Sequence, residues 1–332
     1  MDIDVVSFGE TMLRFLPTSE ERIEHSRAFQ VYVAGSESNT LACLARLGMK
    51  TTWLSALPLN PLGKHIETEL LRHGVNTAHV VWMGEHERVG TFYTEEAPSP
   101  LGVQLYYDRG YSACTLVDPE KIPYATLKNA RMLHLTGITP ALSSNTREIF
   151  RRFLYAANEC QLPISFDVNY RSKLWSATEA AMDIEEACRQ AYLLFCTRTD
   201  AIKLWGLSGS PEAILRGLEK RFVNKDKDKT IILTLGSDGA AQLEHGVFSS
   251  ESAFPTEGAM RFGSGDAFSA GFLYAYLGGE LYHDIREGQQ STPLTLGNAF
   301  AALKRCIAGD IAVISQQDVR TFFQRRENQH FR

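Results

Sequence analysis

The chain has 332 residues, 44% hydrophobic and 22% charged, with a formal net charge of −5. That profile belongs to a globular protein long enough for one large core or two. Its mild acidity and scattered lysines and arginines argue against nucleic-acid binding, and no segment approaches the ~18 apolar residues of a membrane span. The amino terminus shows no basic region followed by an apolar leader core. Cys43, Cys114, Cys160, Cys188, Cys196 and Cys306 include no Cys-x-x-Cys pair, which argues against a zinc site or disulfide framework and for a cytoplasmic location.

In chain order, residues 4–8 form a short buried-strand candidate ending at Gly9-Glu10, and residues 12–16 form a second, stopped by Pro17. Residues 18–28 read as charged loop or edge, and 29–33 as a half-exposed strand. Apolar residues at 41, 44, 45 and 47 fit one face of a helix closed by Gly48, which sets Gly35-Ser36 at its N-terminus with Asn39 one turn inside. Residues 51–57 read as a strand and 61–74 as a helix. Residues 90–94 and 103–109 read as antiparallel strands around Pro98-Ser99-Pro100. With residues 10–34 they form a candidate small sheet apart from the main core.

Beyond this comes regular alternation. Short apolar runs at 132–135, 164–168, 193–196 and 231–235 are separated by helical stretches at 143–160, 177–191 and 210–222. Such a pattern predicts an α/β fold with a mainly parallel sheet buried on both faces. Lys225-Asp226-Lys227-Asp228-Lys229 reads as a solvated loop, 292–308 as a last core helix, and the polar tail from Gln324 as a segment free to fray.

The most informative stretch is Arg261-Phe262-Gly263-Ser264-Gly265-Asp266-Ala267-Phe268. Two glycines before a helix allow a tight turn whose exposed N–H groups favour an anion. Asp266 in the first turn is then either a cap or a base beside that anion, and a base next to an anion hole suits phosphoryl transfer to a hydroxyl. In a parallel sheet ligands gather beyond the carboxyl ends of the strands. Asp167-Val168-Asn169-Tyr170-Arg171, Thr197-Arg198-Thr199-Asp200 and Leu235-Gly236-Ser237-Asp238-Gly239 all fall there.

This order, with Gly35-x-x-x-Asn39 early and Gly263-Ser264-Gly265-Asp266 late, resembles the ribokinase-like (PfkB) carbohydrate kinases across nearly the whole chain. The resemblance implies a single ribokinase-like domain over 1–332: a three-layer αβα core with a β lid from about 10–34 and 88–110. It implies Asp266 as the base and Gly263, Ser264 and Gly265 as the anion hole. ATP is implied beside Thr197, Asp200, Thr234, Gly236, Ser237, Gly239 and Asn298, with Mg²⁺ bridging its phosphates and no metal held by protein ligands alone. No Gly-x-x-x-x-Gly-Lys-Ser/Thr loop is present.

Tyr106-Tyr107-Asp108-Arg109 and Asp167-Val168-Asn169-Tyr170-Arg171 are most similar to 2-keto-3-deoxygluconate kinases. A planar guanidinium holds a carboxylate through two parallel hydrogen bonds, so Arg109 and Arg171 suit an acidic sugar. The likeness adds Gly35, Ser36, Asn39, Tyr93, Tyr107 and Asn169 to the sugar pocket, and leaves Trp175 to core packing. Fructokinases share much of this pattern, so a neutral ketose stands as the alternative substrate. A sugar- or nucleotide-binding protein with impaired catalysis is a third reading, against which Asp266 argues. The sequence departs from the family at Met260, where aspartate is usual; at Arg261-Phe262, in place of threonines; at Thr197-x-x-Asp200, in place of Asn-x-x-Glu; and at Ala34, in place of a glycine. Loss of the aspartate weakens the expectation of K⁺ beside the anion hole. The exposed lid face suggests a homo-oligomer.

Overall fold

A computed structural model describes residues 2–18, 21–96, 102–222, 228–258, 260–288 and 291–330. Its first strands are β1 (Ile3–Phe8), β2 (Met12–Pro17), β3 (Phe29–Ala34), β4 (Thr51–Leu54), β5 (Ala56–Pro58), β6 (Val81–Met83), β7 (Thr91–Glu96) and β8 (Val103–Asp108). Then follow β9 (Ala130–Thr136), β10 (Ile164–Asp167), β11 (Leu193–Thr197), β12 (Thr230–Thr234), β13 (Ala240–Glu244) and β14 (Val247–Glu251). The helices are α1 (Ser36–Arg46), α2 (Pro61–Arg72), α3 (Ala113–Leu116), α4 (Ser144–Glu159), α5 (Ala177–Asp183) and α6 (Glu185–Gln190). They continue with α7 (Arg198–Trp205), α8 (Pro211–Phe222), α9 (Ser264–Tyr276), α10 (Glu280–Gly288), α11 (Pro293–Arg305) and α12 (Gln316–His330).

The main sheet has eight strands in the order β14-β13-β12-β11-β10-β9-β1-β4, parallel from β12 to β4 and antiparallel through β13 and β14. Successive strand residues enter different cores: Phe195 and Ile232 pack on one face, Leu194, Cys196, Ile231 and Leu233 on the other. A strand must be apolar on both sides to do this, which explains the unbroken apolar runs. Helices α1, α9 and α11 cover the first face, α4 and α8 the second. These are the three layers expected of the αβα fold.

The small sheet runs β3-β2-β7-β8, with β2 and β7 parallel and the other pairs antiparallel. The expected turn at Pro98–Pro100 lies outside the described residues. Arg14 of β2 pins this sheet to the core. Its buried guanidinium pairs with Asp310 at 2.8 Å and Glu96 at 3.0 Å, and packs against the rings of Tyr32 and Phe262.

Several expectations need correction. The strand expected at 51–57 breaks at Ser55, whose hydroxyl donates to Gly9 O, and β5 then pairs with β6 in a separate two-stranded ribbon. The helix expected at 177–191 divides at Ile184, the last cap of α5. Lys229 is not solvated: its buried ammonium donates to the carbonyls of Cys188 and Arg189, while 225–227 lie outside the described residues. The tail does not fray at Gln324, since α12 continues to His330. The hairpin of β13 and β14 was not anticipated. Trp175 is buried, as expected, and no helix among the described residues is long and apolar enough to cross a membrane.

Helix α9 is held on the sheet by aromatic contacts: Phe195 of β11 meets Phe272 edge-on at 5.3 Å and Phe268 at 6.4 Å. Removing a buried ring costs about 3–5 kcal/mol. Phe272→Ala is expected to lower unfolding free energy by that amount in urea titrations, and a loss well below it would show that α9 is held mainly from elsewhere.

Candidate active site

The carboxyl ends of β10, β11 and β12 and the N-termini of α1 and α9 converge. At the start of α9, Gly263 has φ +74°, and a Cβ there would lie 1.9 Å from the Asp310 carbonyl oxygen. Only glycine satisfies both limits. Ser264 closes the turn by donating from N and Oγ to Arg261 O, and the first helical bond runs from Ala267 N to Gly263 O. No side chain caps the helix. Its leading N–H groups, with the positive end of the helix dipole, thus face the adjoining space. This excludes the cap role for Asp266.

The Asp266 carboxylate is instead turned toward α1. Ser36 Oγ donates to Oδ1 at 2.6 Å, and Asn39 Nδ2 donates to Oδ2 at 2.8 Å. Asn169 Nδ2 donates to Ser36 Oγ at 2.8 Å, from a backbone with φ +42° that asparagine tolerates better than most residues. Gly35 N donates to Asn39 Oδ1 at 3.4 Å, so the amide of Asn39 links the helix start to the carboxylate rather than simply capping it. Burial raises the Asp266 pKa, while the hydrogen bonds from Ser36 and Asn39, then Arg171 and Lys304, oppose the rise. The result is an ionisable group held in one orientation with a raised proton affinity.

Two cavities meet at this carboxylate. One, of about 240 Å³, is lined by Asp167, Asn169, Arg171, Thr197, Thr234, Arg261, Gly263 and Gly265 among others. The second, of about 110 Å³, is lined by Gly35, Ser36, Asn39, Phe92, Tyr107, Arg109 and Arg171 among others. Asp266, Gly263, Phe262 and Arg171 border both. Larger hollows of about 530 and 440 Å³ lie elsewhere, but neither lining brings two carboxylates together.

On the smaller side, Gly35 is required because a Cβ would meet Glu10 O at 2.5 Å. Ala34 packs with Met12 and Phe92, so its methyl forms part of the wall. Arg109 is not a solvated side chain. Its Nε and Nη2 both donate to Oε2 of Glu10, at 2.9 and 2.5 Å, and Ser112 Oγ holds the other Glu10 oxygen. Arg171 is exposed and donates to Tyr170 O at 3.3 Å, with no ion pair to it among the described residues. Tyr93 needs correction. Strand alternation sends Phe92 and Tyr107 into the cavity and Tyr93 to the opposite face, where it stacks on Phe15 at 5.1 Å. Sequence reasoning missed Phe92, although its pairing with Tyr107 across β7 and β8 follows from the hairpin. It also missed Glu10, Lys173, which donates to Leu105 O at 2.7 Å, and Glu37, buried and held by Thr136 and Thr139.

On the larger side, Thr197 and Thr234 line the cavity, while Asp200 is buried behind it. Thr197 Oγ1 accepts from Asp200 N at 2.9 Å as the cap of α7. Gly236, Ser237 and Gly239 form a turn after β12 that does not line the cavity. Asn298 is also not at the cavity. Its Nδ2 donates to Glu251 O and Ser252 O, both at 3.2 Å, tying α11 to the end of β14. Asp167 was passed over as a site residue. Burial and the neighbouring Asp266 push its carboxyl up to about 8, Arg171 opposes this, and Asp200 adds to it.

A carboxylate fixed between two helix N-termini, an open helix start beside it and an adjoining compartment on either side make up a group-transfer site on an αβα sheet. The profile of the pfkB family carbohydrate kinases matches residues 2–316, and the chain belongs to that family. It is 35% identical to the 2-dehydro-3-deoxygalactonokinase of Haloferax volcanii, over 96% of each chain. Identity to the 2-dehydro-3-deoxygluconokinase of Bacillus subtilis is 28%, over 94% of this chain and 92% of that one. The crystal structure of 2-dehydro-3-deoxygluconokinase from Thermotoga maritima superposes with a TM-score of 0.86 at 28% identity, covering 97% of this chain and 99% of that one.

The raised Asp167 carboxyl carries a stability consequence. In the folded protein it keeps its proton at pH values where the unfolded chain has lost it, so its favourable contribution at low pH disappears as pH rises toward about 8. Asp167→Asn is expected to stabilise the ligand-free protein by at least about 1 kcal/mol near pH 9 and to change it little near pH 4. Urea titrations at both pH values check this; an equal effect at both would mean that Asp167 ionises normally.

Proposed function

We propose that the protein uses ATP to phosphorylate a hydroxyl of 2-keto-3-deoxygluconate or a closely related keto-deoxy sugar acid. The observation that carries this reading is Asp266, bordering both cavities beside an uncapped helix start. The sugar occupies the smaller cavity with its reacting hydroxyl toward Asp266, which takes the proton as the oxygen bonds to the terminal phosphorus of ATP and the bond from that phosphorus to the bridging oxygen breaks, releasing ADP. The N–H groups of Gly265 and Asp266 receive the negative charge on the transferring phosphoryl. Ser36 and Asn39 hold the carboxylate still, so the reacting geometry is set before substrate arrives.

The phosphates fit the larger cavity, bounded by the open helix start, Thr197, Thr234 and Arg261. The Gly236–Gly239 turn carries the rest of the nucleotide. Mg²⁺ suits this side, because Asp266 and Asp200 both raise the proton affinity of Asp167 and a cation relieves that repulsion. In this reading the ion is carried by the phosphates; among the described residues there is no group of three or more His, Cys, Asp or Glu placed to hold a metal. When bound, it neutralises charge on the phosphates.

Substrate choice rests on the arginines. Arg171 lines both cavities with no ion pair among the described residues, and Arg109 presents its remaining edge to the smaller cavity from a fixed position. The kinases named for H. volcanii and B. subtilis support the same substrate class. We also read the outer face of the small sheet, where Val31 and Tyr106 are exposed, as a contact between copies of the chain.

The test is phosphorylation of 2-keto-3-deoxygluconate, 2-keto-3-deoxygalactonate and fructose side by side. Turnover on fructose alone would refute the sugar-acid assignment. Asp266→Asn is expected to lower kcat by about 10²–10⁴-fold while sparing substrate binding. Retained turnover would show that Asp266 is not the base. Arg171→Ala should raise KM for the acid far more than for a neutral sugar, a loss of about 2–5 kcal/mol if the pairing is buried. Equal losses on both would exclude carboxylate recognition.

A further inference from the structure

Lys304, in the last turn of α11, has no exposed surface. Its Nζ donates to the carbonyl oxygens of Ile307 and Gly309, at 2.9 Å each. Lysines near helix ends ordinarily reach solvent, because taking an ammonium out of water is costly. Here the ammonium lies inside a loop of inward-turned carbonyls, at the negative end of the α11 dipole.

The loop it closes leads directly to the anion turn. Asp310 follows Gly309, its backbone oxygen sits against Gly263, and its carboxylate pairs with Arg14. Lys304 therefore sets, through Gly309 and Asp310, the height of the floor on which the helix start rests. At Met260, where a carboxylate would help bind a monovalent cation, the chain offers only a thioether, and Met260 N donates to Arg305 O at 3.3 Å. An ammonium that already holds the Ile307 and Gly309 carbonyls repels a second cation from the same cradle. The residues present thus do not fit a bound monovalent cation.

We propose that Lys304 is a positioning residue that acts as a built-in monovalent cation. Its ammonium occupies the carbonyl cradle at 307–309, holds Asp310 beneath Gly263, and frees the protein from any need for K⁺. The catalytic part of this inference rests on the kinase reading; the ion-binding part does not.

The experiment compares wild type, Lys304→Ala and Lys304→Met in buffers whose only monovalent cation is K⁺, NH₄⁺ or tetramethylammonium, measuring Tm and kinetics. Wild type is expected to show the same Tm and kcat in all three. Lys304→Met keeps bulk without charge and should lose about a hundredfold in kcat with little change in sugar KM, as displacement of reacting groups by about 1 Å does. Lys304→Ala empties the cradle, so K⁺ or NH₄⁺ should raise its Tm and restore part of its kcat, while tetramethylammonium, too large to enter, should do neither. A wild type whose Tm or turnover needs K⁺ overturns the proposal. So does a Lys304→Met protein with undiminished kcat, or a folded Lys304→Ala whose Tm no ion raises. If the wild type turns over no sugar, the kinase reading fails, and the Tm comparison alone decides the cradle. If Lys304→Ala does not fold in tetramethylammonium, recovery of its fold in K⁺ supports the cradle and failure to recover refutes it.

Discussion

Two hydrogen bonds, from Ser36 Oγ and Asn39 Nδ2 onto the Asp266 carboxylate, tie the start of α1 to the start of α9 across 230 and 227 positions of sequence. The site depends on them. The positive ends of two helices and two donors favour the ionised carboxylate, while burial opposes it. The balance leaves a carboxylate with more affinity for a proton than a solvated aspartate and no freedom to turn away. Thr40 Oγ1, which donates to the Asp266 backbone oxygen at 3.3 Å, fixes the same residue from behind. Helix orientation and carboxylate orientation are thereby a single constraint.

That constraint was partly legible in the residues. Strand alternation identified the layers because a sheet covered on both faces requires unbroken apolar runs, as in residues 193–196. The glycine turn before Asp266 was legible through Gly263, which needs both a positive φ and no Cβ, although the structure makes neither demand of Gly265; Asn39 was legible because it sits one turn inside a helix. What stayed hidden depends on long-range pairing. That Arg109 meets Glu10, or that Asn298 serves the end of β14, is set by tertiary placement, not by local pattern. Tyr93 shows the limit most directly. The residue assigned by likeness lies one position from Phe92, which lines the cavity, and one position in a strand is the difference between two faces of the sheet. Ser55 interrupts a strand for a comparable reason, through a hydroxyl bond to a distant carbonyl that no window of sequence contains.

The site is also built from charges that are individually unfavourable to bury. Arg14, Glu10, Asp310 and Lys304 are all at or below 5% exposed. For two of them burial is the largest influence on protonation: it lowers the Lys304 pKa and pushes the Asp310 carboxyl up to about 6 even with Arg14 and Lys304 beside it. Replacing such groups by well-packed apolar side chains often leaves a protein as stable or more so, so stability alone does not account for them. Their placement does. Arg14 and Asp310 join the small sheet to the floor of the anion turn, and Glu10 holds Arg109 at the mouth of the smaller cavity.

Under the proposed function, the Glu10–Arg109 pair bears on how an acidic sugar would be met. Both Nε and Nη2 of Arg109 are committed to one oxygen of Glu10, so the guanidinium plane is set before any substrate arrives. A flexible arginine loses rotamer entropy on capturing a carboxylate; this one has already lost it in folding. Glu10 also draws down the positive charge that Arg109 offers, which makes it a poor lone anchor for an anion. Arg171, without an ion pair among the described residues and bordering both cavities, is the freer of the two for an anion under the proposed function. It also lowers the proton affinities of Asp167, Asp200 and Asp266, so part of its charge is already engaged within the site. A substrate carboxylate would compete with those side chains for it, and a cation on their side would leave more of Arg171 to the sugar.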